Sequence, residues 1–190
     1  MPAKIQEKRR YSGQSFEDRQ AERRAKLVRA TLEVAGRVGP EGVTVAAICA
    51  EAGLTARYFY ESFQSREAIF VEAYRLAQDE LLGEMTPNID SKDAIRSGLT
   101  ALYRALAAHP GQARVFLVDL DDSDPLMKAA SREGAAKFAK LFAPNATKAL
   151  EVAGILGAII QIAKRWIDSG FEEPVEEVVA IALPFTKPKA

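Results

Sequence analysis

The sequence predicts an all-α fold, and three observations carry that prediction. Apolar residues recur at spacings of three and four along most of the chain, the period of one helix face. Residues that start helices (Thr44, Thr55, Ser65, Ser91 and Asp124) stand ahead of these runs, and Gly or Pro follows several of them. No alternating apolar and polar segment is long enough for a half-buried strand. Val115-Phe116-Leu117-Val118 comes nearest, and it stands among helical neighbours.

In chain order, residues 1–17 are polar and basic and read as a flexible arm. A first helix runs from about Asp18, with Leu27, Thr31, Val34 and Val38 at helical spacing, and ends at Gly39-Pro40. Thr44 is placed to cap Val45–Glu51, since its hydroxyl can accept a free N–H of the first turn. Ala52-Gly53-Leu54 breaks that helix, Thr55 caps a short one over Ala56–Ser62, and Ser65 caps a fourth. The fourth carries Ile69, Phe70, Ala73, Leu76, Ala77 and Leu81 as one stripe. After a loop at Pro87-Asn88, helices are predicted near 91–107, 110–119, 124–142, 146–169 and 174–184, with Pro125 at a first helical position.

Composition narrows the function. The 190 residues, 48% of them hydrophobic, suffice to bury a core in one or two small domains. The single Cys, Cys49, excludes a disulfide framework or Cys-rich zinc site and fits a reducing, cytoplasmic setting. Its place on the second helix suits a small buried residue, with redox sensing as the alternative. The single His, His109, leaves no helix-borne metal pair. Asp119, Asp121, Asp122 and Asp124 fail the calcium-loop pattern, because its sixth position is Asp124 and its twelfth is Ala130. The longest apolar run, Val152–Ile160, is too short to span a bilayer, and no secretory signal is apparent. No phosphate-binding loop, dinucleotide fingerprint or nucleophile elbow occurs, so neither an enzyme activity nor a cofactor is expected.

The net charge of zero conceals a division. Through Arg66 there are twelve basic against eight acidic residues, a surplus of four that the remainder balances. A basic front on an acidic body suggests anion binding. A solvated helix face would give the same count, so the motif must decide.

Two short helices joined by a Gly-containing turn cannot bury themselves and need the first helix as support. Ile48, Leu54, Phe59 and Phe63 would face it, leaving Thr55, Arg57, Tyr58, Glu61 and Ser62 on the outer surface. Such a helix can enter a major groove, with phosphates met by hydroxyls and helix N-termini around it. The stretch Ala46-Ala47-Ile48-Cys49-Ala50-Glu51-Ala52-Gly53-Leu54-Thr55, followed by Arg57-Tyr58-Phe59-Tyr60-Glu61-Ser62-Phe63 and Ser65-Arg66-Glu67, resembles the TetR family of bacterial transcriptional regulators. Tyr60 and Phe63 match its hallmark aromatics, and Ser65-Arg66-Glu67 stands where the family often has Ser-Lys-Glu. The resemblance covers about Arg23 to Tyr74. The remainder agrees in length and element order.

The resemblance implies an amino-terminal three-helix helix-turn-helix DNA-binding domain over 18–64. It further implies a connecting helix over 65–83 and a helical ligand-binding and dimerisation domain over 84–190. It places Thr44 and Tyr60 at phosphates, and Arg66 where the family commonly has Lys. Thr55, Ala56, Arg57 and Tyr58 then lie near bases, with Ser62 on the same outer surface. Arg57 can bridge guanine O6 and N7 or contact a phosphate. Tyr58 can meet a thymine methyl, a phosphate or the core. Glu61 accepts from cytosine, repels the backbone, or simply pairs with Arg57 one turn earlier. The arm Lys8-Arg9-Arg10 follows a minor groove or is a solvated tail.

The helix near 146–169 is apolar nearly all round and so needs two partners. Ala153/Gly157 and Gly154/Ala158 are small pairs four apart, and the last helix offers Val178 and Ile181 as a second stripe. Two such helices from each of two chains would form a four-helix interface; a core helix within one chain is the alternative. A homodimer would hold its reading helices about 34–36 Å apart, matching a palindromic operator in double-stranded DNA. Tyr103, Phe116, Met127, Phe138 and Phe142 are the candidate lining of the effector pocket the family implies, for a small apolar or aromatic ligand, or else plain core. The expected function is a homodimeric, sequence-specific transcriptional repressor released by an effector, with helix Ser65–Leu82 as lever and no membrane involvement. A helical ligand carrier or protein-interaction module without specific DNA binding is the rival.

Overall fold

The computed structural model describes residues 15–85, 93–117 and 125–186. The arm Lys8-Arg9-Arg10, the loop at Pro87-Asn88, the Ser91 and Asp124 caps, and Asp119, Asp121 and Asp122 lie outside the described residues. Among the described residues there are nine α-helices and no strand, as the periodicity predicts.

Helix α1 (Phe16–Val38) starts at Phe16 rather than Asp18. Ser15 accepts from the Asp18 N–H at 3.0 Å while the Asp18 carboxylate accepts from the Ser15 N–H at 3.0 Å, a reciprocal cap that draws Phe16 and Glu17 into the helix. Val38, expected on the buried stripe, is 58% exposed at the C-terminal end of α1, beside the Pro40–Gly42 turn. Helix α2 (Val45–Ala52) begins at Thr44, whose hydroxyl accepts from the Ala47 N–H at 3.1 Å. Gly53 ends it at φ 63°, a left-handed conformation that favours glycine. Helix α3 (Ala56–Ser62) follows, and α4 (Arg66–Met85) starts where Ser65 accepts from the Ala68 N–H at 3.2 Å.

The remaining helices are α5 (Ala94–Ala108), α6 (Pro110–Phe116), α7 (Pro125–Phe142), α8 (Ala149–Asp168) and α9 (Val175–Ala182), the last running into a 3₁₀ turn over Leu183–Thr186. Helix α8 begins at Ala149 rather than 146, because the Glu151 carboxylate accepts from the Thr147 and Lys148 N–H groups at 3.1 and 3.3 Å. The expected helix over 110–119 is seen as Pro110–Phe116, and the described chain stops at Leu117.

Two apolar cores share α4. Its amino-terminal half, with Ile69 and Ala73, joins Leu27, Leu32, Ile48 and Phe59 of the helix-turn-helix. Its carboxy-terminal half, with Leu81 and Met85, joins Leu99, Leu106, Phe142 and Trp166 of the body. The first core also takes in Val115 of α6 and Met127 and Ala130 of α7, so the head is seated on the body by more than α4. At the seam, α1 crosses α6 glycine to glycine. A Cβ built on Gly36 would lie 2.6 Å from the Gly111 Cα, so a side chain at residue 36 would have no room. The Arg114 guanidinium donates to the Gly36 carbonyl at 2.8 Å across the same crossing. Nearby, Arg29 grips Glu80 of α4 through two bonds of 2.6 and 3.1 Å, and Gln112 donates to the same carboxylate.

Candidate nucleic-acid interface and body cavity

Helix α3 is held by its inner side alone. Phe59 is fully buried, and Phe63, just past the helix end, is 3% exposed. Arg24 of α1 reaches over the Phe63 ring at 4.0 Å, donates to the Ser62 carbonyl and pairs with Glu72, which ties α1, α3 and α4 together. The outer side is largely exposed. Thr55, Ala56, Arg57, Tyr58, Tyr60 and Glu61 are exposed, and Ser62 is half-buried. Thr55 occupies the cap position with extended backbone, but contrary to the sequence reading its hydroxyl makes no capping bond.

Arg57 donates through Nε to Glu61 at 2.9 Å, the plain pairing one turn apart, and this uses one of its five N–H donors. Tyr58 is outside the core, its ring covered by the Arg23 guanidinium at 4.7 Å. The spacing of the motif had not singled out Arg23, which comes from the opposite helix. Arg66 donates to the Val43 carbonyl at 3.1 Å and, through Nε, to Glu67 at 3.4 Å. That brings a cation beside Thr44 and the amino-terminal end of α2, where backbone N–H groups favour anions. Cys49 is buried, and burial pushes its thiol pKa up, which favours the structural reading over an activated thiolate.

The body holds an apolar cavity of about 90 Å³. Of the expected lining, Phe116, Phe138 and Phe142 reach it. Tyr103 and Met127 do not. Tyr103 is fully buried between α5 and α8, donating to the Ile159 carbonyl at 3.2 Å and meeting Trp166 edge-on, so it fills core rather than bordering a void. Met127 belongs to the core of the head, because the first turn of α7 faces the amino-terminal half of α4. Tyr74, Gln78 and Ser131 line the cavity without having been anticipated. The available signal was Gln78 itself, an amide in register with the buried positions Val71, Tyr74, Leu81 and Met85 of α4.

Of the expected interface residues, Ala153, Gly154, Gly157 and Ile181 are exposed and Ala158 is half-buried. Val178 is corrected: it is 2% exposed, turned into its own core because α9 packs on α5 and α8 through that side. A Cβ at residue 154 or 157 would meet nothing within 4 Å. Leu150, Ile160 and Phe185 are further large apolar residues left exposed on α8 and the terminal turn. Among the described residues there is no cluster able to hold a metal ion, and no helix long and apolar enough to cross a membrane.

The family profile of bacterial regulatory proteins, tetR family, matches residues 27–73, the stretch that builds the buried side of α1, the helix-turn-helix and the start of α4. No curated protein sequence matches the chain. Among solved structures, a transcriptional regulator from Rhodococcus sp. superposes with TM-score 0.70 at 19% identity, covering 86% of this chain and 95% of that one. The FadR regulator of Bacillus subtilis, solved with stearoyl-CoA, gives 0.70 at 16% identity over 85% of this chain and 96% of that one. The multidrug binding protein EbrR, solved with imidazole, gives 0.68 at 18% identity over 88% and 97%. At these identities the structural likeness speaks for the fold. Residues 27–73, the helix-turn-helix and its supports, are thus similar to the tetR family of bacterial regulatory proteins, and the chain shares its fold along most of its length with solved transcriptional regulators.

Proposed function

We propose that the protein is a homodimeric, sequence-specific DNA-binding repressor whose operator binding is relieved by a small effector. The observation that carries the reading is α3, a helix anchored by Phe59 and Phe63 whose opposite side bears Thr55, Ala56, Arg57, Tyr58 and Tyr60, all exposed to solvent. That geometry suits insertion into a major groove, with Thr44, Tyr60, Ser62 and Arg66 at flanking phosphates. Residues 18–64 are the reading head, 65–83 the connecting helix and 84–190 the body.

A single head of this size touches too few bases for high specificity, so the reading requires a two-fold partner. The exposed strip of Leu150, Ala153, Gly154, Gly157 and Ile181 supports α8 and α9 as the dimer face, since exposed contiguous apolar surface marks an interaction site. Effector control is supported by the placing of the cavity. Phe116 and Leu117 border it at the end of α6, and α6 touches α1 backbone to backbone at Gly111. Tyr74 and Gln78 border it from α4. A ligand there would bias the head to the extent that it binds one arrangement of α4 and α6 better than the other.

The test is a gel-shift titration of the full chain with DNA fragments flanking its gene, repeated over a salt series. Saturable binding to one palindrome, occupied by a dimer, is expected. Weak binding that is equal on all fragments and vanishes with salt would defeat the proposal.

A further inference from the structure

The cavity has a composition that selects a ligand class. Its aromatic wall is a row of rings: Tyr74 and Phe116 have centroids 6.5 Å apart with planes at 17°, Phe116 and Phe138 are 5.1 Å apart, and Phe138 and Phe142 are 6.3 Å apart at 20°. These separations are those of offset-stacked aromatics, so a flat ring can join the row. Facing it are aliphatic side chains, among them Leu102, Leu106, Leu156 and Ile159. Among the described residues no Asp, Glu, Lys, Arg or His lines the cavity, so a charged ligand would be stripped of water with no counter-charge from them to meet it.

Among the described lining residues, polarity is confined to one cluster. Gln78 is 2% exposed, and the Tyr74 phenol is in hydrogen-bonding contact with both Gln78 and Ser131. Burial raises the pKa of that phenol, which keeps it neutral at physiological pH. The Gln78 amide lies flat against α7: a Cβ on Gly134 would fall 1.8 Å from its Nε2. An amide has two donor hydrogens and an acceptor oxygen, so one held in this way retains capacity after its contact with Tyr74.

Resting on the reading of this cavity as the effector site, we propose that it takes a neutral, single-ring aromatic molecule bearing one hydroxyl-type group. The ring joins Phe116, Phe138 and Phe142, and the hydroxyl bonds to Gln78. The volume of about 90 Å³ sets the size. A cavity of roughly 150 Å³ lined by similar side chains admits benzene, so one ring enters with a modest outward shift of the Phe side chains.

The experiment titrates the full chain, without DNA, with phenol, toluene and benzoate at neutral pH by calorimetry, supported by the fluorescence of Trp166, the single Trp. Phenol should bind roughly tenfold more tightly than toluene, the value of one neutral hydrogen bond. Benzoate should be at least about a hundredfold weaker than phenol. Gln78→Leu should bring phenol down to the affinity of toluene or below it, because the phenol hydroxyl would then be buried without its partner. If that variant does not fold, the ranking of the three probes on the unaltered chain still decides. Benzoate or toluene binding as tightly as phenol, or none of the three binding, overturns the proposal. A failed ranking with intact operator binding would defeat the ligand class alone. Phenol bound by a chain that ignores every operator fragment would defeat the repressor reading alone.

Discussion

Gly36→Ala tests the seam between head and body. The added Cβ would stand 2.6 Å from the Gly111 Cα, where ordinary contact begins at 3.4 Å, so α1 and α6 must part by about 0.8 Å, the difference between the two. The obstacle is backbone and cannot rotate away. Overpacking of this kind costs about 1–3 kcal/mol. Replacing a helical Gly by Ala returns about 0.8–1 kcal/mol of backbone entropy. Strain therefore outweighs propensity, for a net loss of about 1 kcal/mol with a range of about 0–2. Separation would also stretch the 2.8 Å bond from Arg114 to the Gly36 carbonyl. For a chain of this length, about 1 kcal/mol corresponds to a fall of about 2–4 °C in Tm. Gly83→Ala is the control: residue 83 is exposed in α4 with nothing within 4 Å of a Cβ, so only the entropy gain applies and Tm should hold or rise. Thermal unfolding of both variants beside the parent decides. A Gly36→Ala chain more stable than the parent, as the control is expected to be, would refute the backbone contact between α1 and α6, and with it the second route from cavity to head.

Other outcomes follow from single side chains. Arg57→Ala should weaken operator binding by about 1–3 kcal/mol and relax one base position; a uniform loss on all sequences in a gel-shift series would reassign it to phosphate. Gly157→Glu, which meets nothing within the chain, should leave the monomer folded yet abolish both dimer and operator binding, and a persistent dimer in sedimentation would remove α8 from the interface. Cys49, buried with its pKa raised, should react with a thiol reagent only as the head unfolds, whereas fast labelling of the native chain would revive redox sensing. Hydrogen bonds from Ser15 hold the Asp18 carboxyl below its usual 3.8. A depressed folded pKa means that its capping contribution is complete above pH 3.8 and is lost as pH falls through the lower folded value. An NMR titration of Asp18 should find its midpoint under 3.8, and one at or above 3.8 contradicts the cap.

Legibility in the sequence followed the range of the interaction. The start of α2 and the turn that follows it read correctly because Thr44 and Gly53 act on backbone within four positions of themselves. The start of α1 was missed although Ser15 and Asp18 have the spacing of a cap, because the polar segment around them shows no apolar stripe to announce a helix. Val178 and Ile181 are three apart on one short helix with the same apolar character, and only the packing of α5 and α8 sends the first inward and the second out. Tyr103 and Phe142 are equally aromatic and equally buried, yet one plugs the core and the other borders a void.

By itself the sequence determined that the chain is all-α, that Thr44 starts α2 and Gly53 ends it, and which family its helix-turn-helix resembles. These depend on hydrophobic period, on capping hydroxyls and on glycine at a left-handed position, all of which act over a few residues. Only the tertiary structure decided that Gly36 meets Gly111, that Gln78 and Tyr74 face a cavity beside Phe116 and Phe138, and that Leu150 and Ile181 remain uncovered. Periodicity shows that a helix has an apolar side. Which distant helix covers that side, how closely, and whether a gap remains is set by the simultaneous packing of several helices, and local pattern carries no trace of it.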